Sequence, residues 1–416
     1  MYAAGLAETS SVLMASTNDP IGPSTMAAPA SVARPPVALL GVAFDNLTLR
    51  EAVDRIEEMI ASRHPHYVVT ANVDFLAQVR RDVELQNILL NAPLVLCDGT
   101  PLVWASRLFG NPLPERVAGA DLVPELIRVA AKKNYRLFFL GTTEEANTRA
   151  IARLRGQNPG LEISHYSPPF RSLLDMDDAE IIRRIRAAQP HLLFVAFGCP
   201  KAEKWIATHS AELGVPVAIG VGATIDFLAG RVKRAPLWMQ RGGVEWIYRL
   251  SQEPRRLFNR YATDLWFFGG AMVRQWWSMK GRAGANKDLT LTSALESNGP
   301  WQRVEAAGCL NKESVERDAA RWTEIADADR HCLLDLVATK SVDSTGVAVL
   351  VHLKKRLRPA GRRLILRSPS PAVRRALKAM GLKKYFEFAF DSPQASAQRG
   401  TQLRTPVLEP APEQSA

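Results

Sequence analysis

Short apolar blocks alternate along this chain with longer stretches in which apolar positions recur every three or four residues. Val37–Val42, Tyr67–Thr70, Leu94–Leu96, Arg136–Leu140, Leu161–His165, Leu192–Phe197 and Val215–Val221 are the blocks, and each predicts a strand. Thr48–Arg63, Asp74–Arg81, Val83–Leu90, Asp121–Lys133, Glu144–Gly156 and Asp178–Ala188 carry the helical spacing. Thr48 with Glu51 three residues on has the form of a capping box, which fixes where the first helix starts. Unbroken apolar strands feeding helices predict an α/β fold built on buried parallel sheet.

Ligands of such sheets bind beyond the carboxyl ends of the strands. Two late strands end in Gly198-Cys199-Pro200-Lys201 and Gly220-Val221-Gly222-Ala223-Thr224, and Leu94–Leu96 delivers Cys97-Asp98-Gly99. A carboxylate at that place can take a proton from a substrate hydroxyl. It can equally bond its own backbone in an Asp-Gly turn. Between Arg231 and Arg260 lie eight Lys/Arg and two acids, Glu245 and Glu253. Glycine-lined strand ends beside such a segment suit an anion.

Composition narrows the choice. The chain has 416 residues, 47% of them hydrophobic, and a formal charge of +11. That length predicts two domains, and the charge points to an anionic partner. Much of the excess sits in the one cationic segment, and no nucleic-acid fold is recognisable, so nucleic acid is not expected. The four cysteines, Cys97, Cys199, Cys309 and Cys332, are scattered, with no zinc or redox pair, and fit a reducing cytoplasm. No signal peptide is recognisable, and no run reaches the ~20 apolar residues of a membrane span. The Pro/Ser/Ala-rich residues 1–36 and the tail 392–416 are expected to be disordered. Asp175 and Asp177 form a D-x-D pattern, which in many sugar transferases holds a metal, but at a helix start aspartates also complement the helix dipole.

Three late stretches, GCPKAEKW from Gly198, GVGATIDFLAG from Gly220 and KRAPLWMQRGGVEWIYRL from Lys233, resemble the motifs of the WecG/TagA/CpsF glycosyltransferases, family 26. CDGTPLVWASRLFGNPLPERVAGADLVPEL from Cys97 and VVTANVDFL from Val68 resemble the family's middle and early motifs, in family order. The resemblance covers residues 37–260 and implies a Rossmann-like domain of two small halves with parallel sheets. It implies an inverting transferase that moves a sugar from a UDP-sugar donor to a polyprenyl-diphosphate-linked saccharide, for surface or exopolysaccharide. Asp98 takes the general-base position. Thr70, Asn72, Arg116, Gly198, Lys201, Glu203, Gly220, Gly222, Asp226, Lys233, Arg234 and Arg241 take substrate-binding positions. The Arg116 side chain is expected to meet a phosphate or to pair with Glu115. No metal or other cofactor is implied. One departure stands out: the family's G-x-P-K-Q-E carries glutamine where this chain has Ala202.

After a connecting segment, 261–286, the texture changes. Lys287–Ser293, Arg303–Ala307, His331–Leu336, Arg363–Leu366 and Tyr385–Phe390 predict strands; Glu313–Ala326 and Pro371–Met380 predict helices, and Asp343-Ser344-Thr345-Gly346 opens a third. DLVATKSVDSTGVAVLVHLKKRLRPAGRRLILRSPSPAVRRALKAMGL resembles a STAS domain over 287–391, a smaller α/β module. That resemblance puts Thr345 at a phosphorylation position and implies a protein partner.

A lipid-linked acceptor places the enzyme in the cytoplasm, peripheral at the inner face of the cytoplasmic membrane. Leu257, Tyr261, Leu265, Phe268, Met272 and Trp276 form an apolar stripe if helical, with arginines beside it that suit anionic headgroups. Gly269-Gly270 disfavours that helix. The reading from another class is a catalytically inactive nucleotide-sugar-binding or regulatory module that signals through the STAS-like domain.

Overall fold

The computed structural model describes residues 34–169, 172–232, 234–252, 254–280, 289–295 and 299–389. The expected disorder of 1–33 and of the tail lies outside them. Arg34–Pro36 are held in place: Asn46 and Asn111 donate to the Pro35 carbonyl, and Arg34 Nε donates to Asn46 O.

The chain opens with a hairpin, β1 (Val37–Leu39) and β2 (Val42–Phe44), where the sequence pattern predicts one strand. Leu40 and Gly41 turn it with φ of 48° and 91°. Helix α1 (Leu49–Ser62) follows, with the Thr48–Glu51 capping box in place. Next come β3 (His66–Ala71), α2 (Val73–Gln78), α3 (Val83–Asn91), β4 (Leu94–Cys97), α4 (Thr100–Leu108) and α5 (Gly119–Lys133). Then follow β5 (Leu137–Gly141), α6 (Glu144–Gln157), β6 (Ile163–Tyr166), α7 (Asp178–Ala188), β7 (Leu192–Ala196), α8 (Lys201–Leu213) and β8 (Val217–Gly220). Short helices α9 (Thr224–Leu228), α10 (Leu237–Arg241) and α11 (Glu245–Gln252) lead into α12 (Pro254–Lys280).

Strands β3 to β8 form one parallel sheet, ordered β4-β3-β8-β7-β5-β6. The two expected halves therefore meet in a single sheet, with β8 inserted between β3 and β7. Alternation splits each strand between two cores. Leu192 and Phe194 pack with α1, α5, α6 and α9, whereas Leu193 and Val195 pack with α7 and α8. The second face continues under α2, α3 and α12. The chain thus leaves β3 and β7 toward one face, and β5 and β8 toward the other. Reversals of this kind open a crevice at the carboxyl edge.

The second domain contains β9 (Leu289–Leu295), β10 (Trp301–Leu310), α13 (Lys312–Arg317), α14 (Ala319–Asp327), β11 (His331–Asp335), β12 (Thr339–Val342), α15 (Ser344–Leu357), β13 (Leu364–Arg367), α16 (Pro371–Ala379) and β14 (Glu387–Ala389). Its sheet runs β12-β10-β11-β13-β14, and β9 adds to β10 in antiparallel fashion. The predicted helix 313–326 is broken at Asp318 into α13 and α14.

The core of this domain runs on into the first. Ala38, Ala43 and Leu90 belong to the same buried cluster as Val347, Leu350 and Leu366. Helix α15 is buried along most of its length, with the hairpin laid against it. Gly41 approaches so closely that a Cβ there would lie 2.3 Å from Met380 O. Gln275 of α12 closes the contact, accepting from Leu40 N–H (2.8 Å) and donating to Ala38 O (3.0 Å).

Helix α12 runs unbroken through Gly269-Gly270, because tertiary packing outweighs propensity. Phe268 and Met272, expected on an outward stripe, are buried against the core around α2. The exposed apolar face is a different one: Phe258, Trp266, Val273 and Trp277, with Trp266 88% exposed. The side chains of Leu257, Tyr261 and Leu265 lie outside the described residues.

Candidate active site

The strand ends collect the expected residues at one edge. Asp98 follows β4, and its N–H donates to Ala71 O (2.9 Å), which ties it to the end of β3. Val117 N–H donates to Cys97 O (2.8 Å) and brings the Glu115–Gly119 loop alongside. Asn72 caps α2: its Oδ1 accepts from Asp74 and Phe75 N–H (3.0 and 3.3 Å). Thr70 is buried on β3. A Cβ built on Gly119 would lie 3.4 Å from Thr70 Oγ1 and 3.8 Å from Thr224 Oγ1. The start of α5 therefore sits over both hydroxyls. Neither Gly119 nor Thr224 stands out locally in the sequence; only the crossing of α5 over two strand ends joins them.

Helices α5 and α8 both begin without a side-chain cap, at Ala118 and Pro200. In their first turns backbone carbonyls take the donors, Asp121 N–H to Ala118 O and Ala202 N–H to Gly198 O (both 2.9 Å), and the positive ends of the two helix dipoles face the same edge. Gly198 has φ 79°, and neither it nor Gly222 has any neighbour within 4 Å of a Cβ position, so open space adjoins both. Lys201 opens α8 beside them.

Arg116 does not pair with Glu115, whose carboxylate accepts from Leu49 N–H (2.6 Å). Its guanidinium reaches Asp121 (2.9 Å) and Glu245 (3.0 Å) instead. Arg234 joins the same carboxylates, at 2.6 Å from Asp121 and 3.9 Å from Glu245. Two cations and two anions thus bind α11 and the residues before α10 onto the start of α5. Burial works against the charge of Arg116, and the nearby Asp98, Asp121 and Glu245 outweigh it, raising its pKa above the ordinary value. Asp121 and Glu245 were missed in the sequence because Arg234 and Glu245 meet Asp121 and Arg116 only across the fold. Gly243, between α10 and α11, approaches the site as well: a Cβ there would lie 2.4 Å from Thr100 Cγ2, two residues past Asp98. Lys233 and the side chain of Arg241 lie outside the described residues.

Two expected contacts have structural partners. Asp226 accepts from Thr142 Oγ1 (3.4 Å) at the end of β5. Glu203 is turned inward and 5% exposed, and its Oε1 would meet a Cβ on Gly220 at 2.4 Å. Glycine at 220 is therefore required by the carboxylate beside it. Ala202, where the family has glutamine, is buried next to the same glycine. Asp177 caps α7 by accepting from Glu180 N–H (3.1 Å), so the D-x-D pattern serves a helix start. Among the described residues no cluster of three metal-ligating side chains occurs.

Burial pushes the Glu203 carboxyl up to about 7 from an ordinary 4.5. Between those pH values the unfolded chain has released this proton and the folded chain retains it. The fold should therefore weaken as pH rises through that window, by of order ~3 kcal/mol from this group. Glu203→Gln keeps the shape without the titration. Denaturant unfolding at pH 5 and pH 7.5 should show a smaller pH difference in the variant; an unchanged difference would exclude Glu203 as its source.

Thr345 lies in the second domain, fully buried, where its Oγ1 accepts from Asn111 Nδ2 (3.0 Å) of the first.

Comparison with known proteins agrees with this arrangement. The sequence model of the glycosyl transferase WecG/TagA/CpsF family matches residues 37–282, and that of the STAS domain matches 308–395. The N-acetylglucosaminyldiphosphoundecaprenol N-acetyl-beta-D-mannosaminyltransferases of Staphylococcus aureus strains MW2 and MRSA252 are each 31% identical over 223 residues, covering 53% of this chain and 86% of theirs. A solved structure of the unphosphorylated anti-sigma factor antagonist SpoIIAA is 20% identical, covering 26% of this chain and 95% of that one, with a TM-score of 0.22. The match to the transferase family runs from the hairpin through α12 and takes in every strand end that builds the site, so this chain is a glycosyltransferase of the WecG/TagA/CpsF family.

Proposed function

We propose that the enzyme transfers an N-acetylhexosamine or hexose from a UDP-sugar to a polyprenyl-diphosphate-linked saccharide, with inversion, during surface polysaccharide synthesis. The observation that carries this reading is Asp98, held at the end of β4 beside Asn72 and in the field of Arg116. The names of the curated relatives support the lipid-linked acceptor. Asp98 takes the proton from the acceptor hydroxyl as its oxygen attacks the anomeric carbon. The bond from that carbon to the diphosphate breaks on the opposite face, and UDP departs with the electron pair. Arg116, Arg234, Lys201 and the positive dipole ends of α5 and α8 stabilise the departing charge. Gly198 and Gly222 leave room for the diphosphate to approach. Asp121 and Glu245 hold the two arginines in place before the donor arrives.

No metal is needed in this scheme, since cationic side chains and helix dipoles take that role and Asp177 is committed to its cap. A panel of UDP-sugars offered with a polyprenyl-diphosphate saccharide should give one preferred donor and a rate unchanged by EDTA. No transfer from any of them would remove the reading. Chelator loss reversed by Mg²⁺ would remove its metal-free part.

The enzyme works at the inner face of the cytoplasmic membrane without crossing it. No described helix is long and apolar enough to span a bilayer. Trp238, Phe258, Trp266 and Trp277 are exposed around the cationic segment, and tryptophan beside arginine suits an interface. Sedimentation with anionic vesicles should fall when Trp266 and Trp277 are both changed to serine. Undiminished binding by that folded variant would place the membrane contact elsewhere.

A further inference from the structure

The acceptor's sugar hydroxyl is assigned to Asp98, but its diphosphate and lipid have so far no place. A groove of about 450 Å³ lies between α2 and α12, lined by Asp74, Gln78, Arg80, Arg81, Thr263 and Phe267. It starts beside the site. Asn72 caps α2, and its Cα lies 3.9 Å from a Cβ position on Gly99, the residue after Asp98.

Polarity changes along the groove. Near Asn72 it offers the Asp74 carboxylate, which accepts from Gln78 Nε2 (2.8 Å), a pair suited to sugar hydroxyls. Arg80 and Arg81 stand eight and nine residues beyond Asn72, in the turn that follows α2 at the far end of the groove. Both are exposed, and among the described residues neither pairs with a carboxylate. The Arg80 guanidinium lies over the Phe267 ring at 5.1 Å, which orients it without neutralising it. Adjacent arginines with no acid on them form a local anion site, and their planar forks match phosphate oxygens. Past Phe267, the same helix turns Trp266, Val273 and Trp277 to the outside. From Asp98 outward the surface therefore offers sugar-binding polar groups, then two guanidinium groups, then an apolar aromatic face. A saccharide joined through a diphosphate to an isoprenoid has that order of parts.

We propose that the α2–α12 groove is the acceptor subsite, with Arg80 and Arg81 holding the lipid-linked diphosphate. The proposal rests on the transferase reading above. Its test is steady-state transfer in neutral detergent micelles, comparing wild type with the double variant Arg80→Ala/Arg81→Ala. With an acceptor sugar carried on farnesyl diphosphate, the acceptor KM should rise about 10- to 100-fold, since each lost contact is a charge-assisted hydrogen bond. The donor KM should stay within about twofold of wild type. With the same sugar on a neutral alkyl chain, wild type and variant should be equally poor. An unchanged KM for the diphosphate acceptor overturns the proposal. A defect seen only in vesicles containing anionic lipid, and absent in neutral micelles, also overturns it, because the arginines would then serve headgroups. If the wild type transfers no sugar, calorimetric binding of farnesyl diphosphate decides. Binding lost in the double variant upholds the groove while the transferase reading falls, and no binding by the wild type overturns the groove.

Discussion

Replacing Asp98 by asparagine is expected to lower kcat by about 10²–10⁴-fold while the protein remains folded. Asparagine keeps the size of the side chain but cannot take up the proton of the acceptor hydroxyl. The backbone that presents it is fixed independently, by the Asp98 N–H bond to Ala71 O and the Val117 N–H bond to Cys97 O. Folding should therefore be unaffected, and circular dichroism with thermal unfolding would show it. Turnover near the wild-type rate would assign the base elsewhere. Donor KM should change little, because in the proposed mechanism Asp98 acts on the acceptor and not on UDP.

The second large effect is expected at Thr345, on stability. Its hydroxyl is sealed between α15 and the Asn111 region, with no exposed surface. Thr345→Glu would bury a carboxylate with no cation to meet it, at a cost of about 3–5 kcal/mol. Thr345→Val removes only one acceptor from Asn111, whose amide also donates to Pro35 and Pro36 carbonyls. That variant should lose about 1 kcal/mol. Chemical denaturation of the three proteins makes the comparison, and a glutamate variant as stable as wild type would show that the contact is open in solution.

A phosphate at Thr345, the role implied by its place in the STAS turn, would need the same contact to open first. A chain of packed elements connects that contact to the site. Helix α15 lies on the β1–β2 hairpin, and Asp45, just after β2, holds β4 by accepting from Val95 N–H (2.7 Å) and donating to Val95 O (2.9 Å). Asp98 stands three residues further along. His352 of α15, pushed down to about 4 by burial, sits 3.8 Å from Asp45. It therefore packs as a neutral ring at physiological pH.

Local signals gave most elements of the fold directly. The Thr48–Glu51 box marked the start of α1 to the residue, and the apolar blocks marked every strand of the parallel sheet. Two of the failures, at Val37–Val42 and on α12, come from burial from more than one side. Val37–Val42 is apolar throughout because one domain covers it on one side and α15 on the other, so its hairpin turn at Leu40-Gly41 was hidden. The polar Thr339–Val342 did not read as a strand, yet it adds to the end of β10 as β12. On α12 the spacing identified a stripe and could not say which neighbour would cover it. Phe268 and Met272 turned inward because α2 lies beside them.

The candidate site was legible in position where a short motif ends a strand: Asp98, Asn72, Gly198 and Gly222 all follow strands of one parallel sheet. It was illegible where chemistry is assembled across the sheet. Arg116 and Asp121 are close in sequence, but Glu245 and Arg234 reach them only because α10 and α11 fold back over α5. Glu203 looked like a ligand contact in its motif, and the structure turns it into the core against Gly220.

The central claim is acceptor-dependent sugar transfer, and release of UDP by the full-length protein tests it most directly. UDP should form from the preferred UDP-sugar only when a polyprenyl-diphosphate-linked saccharide is present, in step with the lengthened lipid product, and Asp98→Asn should abolish both. Tight binding of the UDP-sugar with no UDP released in the presence of that acceptor would contradict the account and make the chain a nucleotide-sugar-binding module that acts through its STAS domain.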